Sequence, residues 1–483
     1  MAPSAAPSPA RPTEADPVAR RARLAVAVLF GVNGLIFANV VPWLPVIKEE
    51  LALSNAAFGA GISAGPLGGL VLGMAAGPLA ARFGSGRTAT RGALVQVLGL
   101  PAVALAPSWL AFAASLFLLG ASDAVTDASM NAHALRVQRR YRRSIINGFH
   151  ALWSLGAVSG GLFGAAAVAL GVSRMAHLTV TAVVLAVAVA VGARWQLTGP
   201  EDAEQTADAA VPTTAVPADG AAADGAAVGP AAVGGVDGVV TVGAVTDGSA
   251  AGGSDGVAGG SDGVAGGSDS AAGGSDSAAG LSCGAGEGIR QAVSTAPWLL
   301  LGFAGLPMMA GAVEDAAPTW AAVHLRETLG ATPFVAGLGF VAAQTMMVVG
   351  RVTGDRMVDR LGARGVARSG SLLAALGMLF VAIGTVPALV VVGFGLAGLG
   401  VATLFPLGLA AAGEFPGVRS ADGVAIASWL ARSSFLVLPP TIGLVADATS
   451  LRNGLLLVVG CALVAAALSG LLPDGRASAS PAD

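Results

Sequence analysis

Charge is scarce in this chain: only 11% of its 483 residues are Asp, Glu, Lys or Arg. A soluble domain carries about 25%, so the sequence cannot clothe a globule in water-compatible surface. Cysteine is scarcer still. Cys283 lies in a low-complexity stretch and Cys461 in an apolar run. A disulfide framework is thereby excluded, no metal-ligand spacing exists, and no metal or cofactor is expected. Basic residues are missing altogether from Trp195 to Gly288, a stretch that holds thirteen acids. The rest of the chain then carries about +10. Its basic residues sit in short loops between apolar runs, the pattern of loops that flank membrane helices and not of a nucleic-acid surface. Also missing are a phosphate-cradling loop between strand and helix, a nucleotide fingerprint and a catalytic triad. Neither an enzyme nor an ATP-driven pump is expected from this chain.

Apolar sequence is what abounds. Hydrophobic residues make up 54% and mean hydropathy is +0.74, so lipid must be the solvent for most of the chain. A crossing helix needs roughly 20 apolar residues. Apolar runs fall near 22–45, 55–80, 89–106, 109–133, 147–170 and 174–194, then near 295–323, 333–353, 367–385, 387–412, 422–445 and 453–472. The expected fold is therefore an all-α membrane protein of twelve transmembrane helices in two six-helix, pseudo-symmetric halves. The halves are placed at 22–194 and 289–473, between a disordered leader (1–21), a linker (195–288) and a tail (474–483). The linker is Gly/Ala/Ser/Asp-rich, with four near-copies of Ala-Gly-Gly-Ser-Asp from Ala251 to Ala278. It cannot bury enough surface to offset chain entropy, so disorder is expected there. The leader is followed by many apolar runs, which reads as a retained first helix and not a cleaved signal.

Orientation follows from arginine in short loops. One set of loops carries Arg20, Arg21 and Arg23, then Arg82, Arg87 and Arg91, then Arg136 to Arg143, then Arg356, Arg360, Arg364 and Arg368; the opposite set is poor. The rich side is expected to be cytoplasmic, with both termini, in a bacterial inner membrane.

Two loops repeat each other. Gly77-Pro-Leu-Ala-Ala81-Arg82-Phe83-Gly84-Ser-Gly-Arg87 follows the second run, and Asp355-Arg356-Met-Val-Asp359-Arg360-Leu361-Gly362-Ala-Arg364 follows the eighth. Gly permits a tight turn, and the arginines can bond helix C-terminal carbonyls. These loops resemble the signature of the major facilitator superfamily and its echo in the second half. Ala81 stands where that pattern usually has an acid, and Asp355 where it commonly has Gly. The resemblance implies a cytoplasmic gate carried by Asp359, two halves that rock about a midplane site, and a monomer by default. It implies too that spans 2 and 5 of one half meet spans 8 and 11 of the other, with Gly65, Gly68, Gly69, Gly73 and Gly77 and Gly156, Gly160, Gly161 and Gly164 as candidate sliding faces. Asp127 to Asn131, Phe149 to Gly156 and Glu314 to Trp320 resemble a bacterial subgroup related to sugar permeases.

An ionisable group inside a bilayer is a candidate functional residue because of its cost. Asp123, Asp127 and Asn131 fall at i, i+4 and i+8 of the fourth run, on one helix face. The reading is proton coupling or substrate contact; the plainer one is a hydrogen-bonded cavity wall. His150 titrates in a useful range and is placed beside Asp127 or Asn131, unless it only packs an interface. Glu314 and Asp315 precede Pro318, where the helix is expected to bend or break. Arg432 is expected to pair with Glu314, Asp315 or a fourth-run aspartate, permanently or exchangeably. Asn33, Asn39, Trp153, Trp320 and Gln344 are candidate cavity residues.

The function these features point to is secondary active transport of a small solute, with protons and the solute as partners. Proton symport of a polar metabolite comes first. Proton-coupled export of a drug or hydrophobic metabolite comes second, and an uncoupled facilitator or membrane receptor stands as the alternative of another class.

Overall fold

Inside a bilayer each segment must pair its own backbone N–H and C=O groups, so apolar runs of this length become helices. The computed structural model describes residues 17–141, 145–198, 297–414 and 420–472, which are helical and contain no strand. Most of the expected leader, Arg142 and Arg143, nearly all of the linker with Cys283, and the tail lie outside the described residues.

The first half opens with α1 (Pro17–Val40), which tightens into a 3-10 turn at Val41–Trp43 and continues as α2 (Leu44–Glu50). Pro42 and Pro45 lack the N–H that would continue the α ladder, and the chain tightens between them. The second crossing is three short helices, α3 (Asn55–Ile62), α4 (Ala64–Gly73) and α5 (Ala76–Phe83). Then come α6 (Ser85–Leu105), α7 (Trp109–Tyr141), α8 (Ile146–Ala169) and α9 (Arg174–Ala193). The second half runs α10 (Pro297–Val323), α11 (Pro333–Ile383), α12 (Pro387–Val401), α13 (Leu404–Gly413), α14 (Ser420–Ala448) and α15 (Leu451–Leu468).

Ten stretches among the described residues are long and apolar enough to cross a membrane. One of them, α11, has 51 residues, about 77 Å at 1.5 Å per residue against a core of about 30 Å. Gly362 interrupts it at φ 74°, ψ 159°, so it is two crossings. With α10, the two halves hold six crossings each. Gly84 takes nearly the same conformation, φ 86°, ψ 144°. That region of backbone space is open essentially to glycine alone. The repeated loops therefore share their turn geometry as well as their sequence.

Each half packs mainly on itself, and two seams join the halves: α3 lies on α14 and α8 on α11. The expected meeting of spans 2 and 5 with spans 8 and 11 resolves here into 2 with 11 and 5 with 8. The glycines are used differently from expectation. Gly65, Gly68 and Gly69 face α7, while Gly156, Gly160 and Gly164 face α1; of the two sets, Gly161 meets the other half, at Phe340. Gly77 has open space around it. Pro318 does not break its helix, since α10 runs on unbroken to Val323. The departure from α geometry comes just after, in a π turn at His324–Thr328.

The bundle has a near end, where α1 begins and where Gly84 and Gly362 turn, and a far end, with the turns at 51–54, 106–108, 170–173, 329–332, 384–386 and 449–450. At the near end Arg364 donates to the Leu472 carbonyl at 2.8 Å, an arginine of the repeated loop bonding a helix C-terminus as expected. Arg136 does the same for Thr198 at 3.2 Å.

Candidate functional site

A cavity of about 250 Å³ lies between the halves. Its first-half wall is a polar cluster drawn from four helices. Asn33 of α1 donates to Asp123 of α7 at 2.7 Å, and Gln96 of α6 donates to the same carboxylate oxygen at 2.8 Å. Trp153 of α8 donates its indole N–H to the Asn33 side-chain oxygen at 2.7 Å. An indole is a donor only, so it fixes which way the Asn33 amide faces: oxygen to Trp153, nitrogen to Asp123 and, at 3.3 Å, to the Gln96 oxygen. Two donors thus converge on one oxygen of Asp123. The four residues form one unit, each holding the next in place, in a setting where such networks are strong.

The second-half wall carries Glu314, Asp315 and Gln344 with Arg432. Arg351 of α11 lies 3.4 Å from Glu314 and also contacts the Met347 sulfur. Arg432 was expected to pair with an acid of this group. It shares the cavity wall with them but makes no ion pair within 4 Å of any described residue; Glu314 is engaged by Arg351 instead. Among the described residues, the cavity thus holds a cation with no ion-pair partner on the same wall as Glu314 and Asp315. Phe37, Phe340, Phe405 and Phe435 are, with Ile62, Leu116 and Leu119, among its apolar lining.

Several sequence-derived candidates lie elsewhere. Asp127 is 5% exposed and accepts from Asn131 on its own helix at 2.9 Å; neither residue lines the cavity. The i, i+4 step turns the helix by about 40° past a full turn and carries Asp127 one turn toward the near end. His150 sits edge-on to Phe30, with ring centroids 5.1 Å apart, and not against Asp127 or Asn131. Asn39 is buried against α8, donating to its own Leu35 carbonyl at 2.7 Å. Trp320 is fully buried and packs edge-on against Phe58 at 5.4 Å, with its indole N–H lacking an acceptor. Conversely, the sequence reading missed Gln96 and Arg351. Both carried the signal used for the others, a polar or charged residue inside an apolar run.

The far end is closed. Lys48, the only lysine in the chain, is buried and donates to both Glu327 oxygens at 2.8 and 2.7 Å, joining α2 to the end of α10. Phe58 bridges Phe112, in its own half, to Trp320 in the other. Asp447 of α14 bonds the start of α3. At the near end the repeated loops stay within their own halves. Phe83 is flanked by Arg82 at 5.4 Å and Arg91 at 5.2 Å. Arg87, Asp355, Asp359 and Arg360 are exposed, and among the described residues Asp355, Asp359 and Arg360 form no ion pair or hydrogen bond.

Two pseudo-repeated six-helix halves around a central cavity are the layout of a two-half membrane transporter. The profile of the Major Facilitator Superfamily matches residues 26–324 and 298–482, and the chain belongs to that family. It is 25% identical over 453 residues to the uncharacterized transporter y4wD of Sinorhizobium fredii, covering 92% of this chain and 97% of that one. It is 25% identical over 446 residues to the membrane protein MosC of Rhizobium meliloti, covering 92% and 88%. Among solved structures it resembles the nucleoside transporter NupG, with a TM-score of 0.64, 13% identity, and 93% and 100% of the two chains covered. A D-xylose-proton symporter aligns with a TM-score of 0.58 at 14% identity over 95% and 98%. The chain is thus a multi-pass membrane transporter and not an enzyme.

Proposed function

We propose that this transporter carries a small polar solute across the bacterial inner membrane together with protons, by rocking its two halves about the central cavity. One observation carries the reading: the Asn33–Gln96–Asp123–Trp153 cluster faces Glu314, Asp315 and Arg432 across a closed far end. Buried carboxyl groups facing a mobile cation allow a proton to change which pairs form, and so which state is favoured. Asp123 is the first-half coupling candidate in place of Asp127, because it touches the cavity and Asp127 does not. The size of the cavity suits a solute of monosaccharide to nucleoside size, and the solved relatives that fold this way include carriers of both.

The arginine-rich near end is taken as cytoplasmic. On that assignment the molecule is inward-facing, its outer side locked and its loop gate at Asp359 disengaged. A solved relative, a bacterial homolog of the human lysosomal transporter Spinster, is described as inward-facing and occupied; it aligns with a TM-score of 0.64 at 10% identity.

The phenyl belt of the cavity favours a second reading, export of an apolar compound in exchange for protons. Accumulation assays in vesicles separate the two. Asp123→Asn and Glu314→Gln each abolish proton-driven accumulation while leaving solute exchange intact. If both variants still concentrate solute against its gradient, the coupling assignment is wrong.

A further inference from the structure

The α3–α14 seam holds a contact whose chemistry is unlike the rest of the closed outer side. The first three N–H groups of a helix have no partner within it. In α3 they belong to Asn55, Ala56 and Ala57. Ser54 accepts from Ala57 at 3.2 Å. The other two are taken by the opposite half of the molecule. Asp447 accepts from the Asn55 N–H at 2.8 Å through one oxygen and from the Ala56 N–H at 2.8 Å through the other. The Asn55 side chain adds a third bond at 2.9 Å.

The position of Asp447 on its own helix is unfavourable. It is the penultimate residue of α14, where the helix dipole repels an anion, while the start of α3 attracts one. Asp447 is exposed, so water can hydrate it when the helices part, but the two backbone N–H groups and the favourable end of a dipole are available to it only while they touch. The backbones approach closely here: a methyl on Gly443 would meet the Asn55 carbonyl, and one on Gly59 the Pro439 carbonyl. The other seam has no counterpart. The end of α8 reads Ala169-Leu-Gly-Val-Ser173, without an acid, and Thr332 gives the start of α11 no side-chain cap.

We propose that Asp447 is the positioning residue that latches the outer side shut, capping α3 across the seam in the inward-facing state and releasing it when the halves rock. The proposal rests on the alternating-access reading above. It makes closure asymmetric: one seam is held by a charged cap, the other, among the described residues, by apolar packing that includes Phe340 on Gly161.

Electron–electron distance measurements on the full chain in lipid nanodiscs test it without any solute. Cys283 and Cys461 are replaced by serine, and spin labels go on Leu170 and Val386, which are 79% and 53% exposed at the far end of opposite halves. Asp447→Ala raises the ratio of far-end-open to far-end-closed molecules about tenfold, given the worth of hydrogen bonds to a charged group. Asn55→Ala, which removes one donor and keeps the backbone, raises it about two- to threefold. Unchanged distances in both variants overturn the latch. Lys48→Ala serves as the independent opener. If it lengthens the distance while neither latch variant does, rocking stands and the latch is wrong. If none of the three does, the rocking reading fails with it.

Discussion

At the scale of single residues, the cavity is organised by the one carboxylate that its own half holds in place. Asp123 receives amide hydrogens from Asn33 and Gln96, and Trp153 sets the Asn33 amide. Removing a donor to a charged acceptor costs about 1.5–3 kcal/mol. Gln96→Leu therefore weakens solute affinity roughly tenfold or more, read as a rise in half-saturation with the maximal exchange rate less affected. Gln96→Leu with unchanged half-saturation would remove the cluster from the solute site. Trp320 is predicted to behave in the opposite way to a solute-stacking residue. Its buried indole N–H has no acceptor, so Trp320→Phe keeps the contact with Phe58 and removes an unsatisfied donor. Transport and thermal stability should be retained or slightly improved. A large loss of affinity would instead restore Trp320 to the solute path. What the sequence disclosed at this scale was the set of polar residues inside apolar runs, and Asp123, Asn33, Trp153, Glu314, Asp315, Gln344 and Arg432 do line the cavity. Which polar residue faces inward was hidden. Rotation of a helix about its axis is set by packing, and a run apolar on every side carries no stripe to reveal it. Asn39 and Trp320 are buried outside the cavity lining, Asp127 sits one turn along its helix from it, and His150 packs on Phe30, the plainer of its two readings.

At the scale of elements, the repeated loops show how a short sequence match becomes geometry. Gly84 and Gly362 hold corresponding turns at φ 86° and 74°, a conformation that costs a residue with a side chain about 1–3 kcal/mol. Gly362→Ala should lower the thermal unfolding midpoint in detergent, whereas Gly77→Ala, in open space within α5, should leave it unchanged or slightly raised. Equal effects at both positions would mean that the turn is not under that constraint. Most crossings were legible within a few residues, because length and hydropathy mark where a helix enters and leaves the membrane; α7 runs on to Tyr141 past the expected 133, and the first part of α11 on to Gly362 past 353. The breaks were not. Pro318 drew attention as a breaker, yet α10 runs through it, while the second crossing is broken at Ser63 and near Met74. Proline lacks an N–H but tolerates a helix whose freed carbonyl finds other partners in a packed bundle. A glycine-rich segment has low helix propensity throughout and no single residue that marks the break.

At the scale of the whole molecule, two halves of like fold are unlike in chemistry. The first contributes a carboxylate locked in an amide network, the second an acid cluster with two arginines, one engaged by Glu314 and one free to choose. Closure at the far end comes from Lys48 with Glu327, from Asp447 with α3 and from the aromatic contact at Phe58. At the near end Asp355, Asp359 and Arg360 make no ion pair with another described residue. On the rocking mechanism proposed above, changes in the cavity are answered by making or breaking the outer contacts. The central claim is that solute and proton move together through this cavity. It is tested most directly with purified protein in liposomes carrying a dye for internal pH, under an imposed pH gradient, against pentoses, hexoses, nucleosides and common drugs. The account predicts that one class of polar solute drives protons inward with it and that Asp123→Asn abolishes the signal. Solute flux down its own gradient with no proton movement for any compound would contradict it, and would return Asp123 and Glu314 to structural roles.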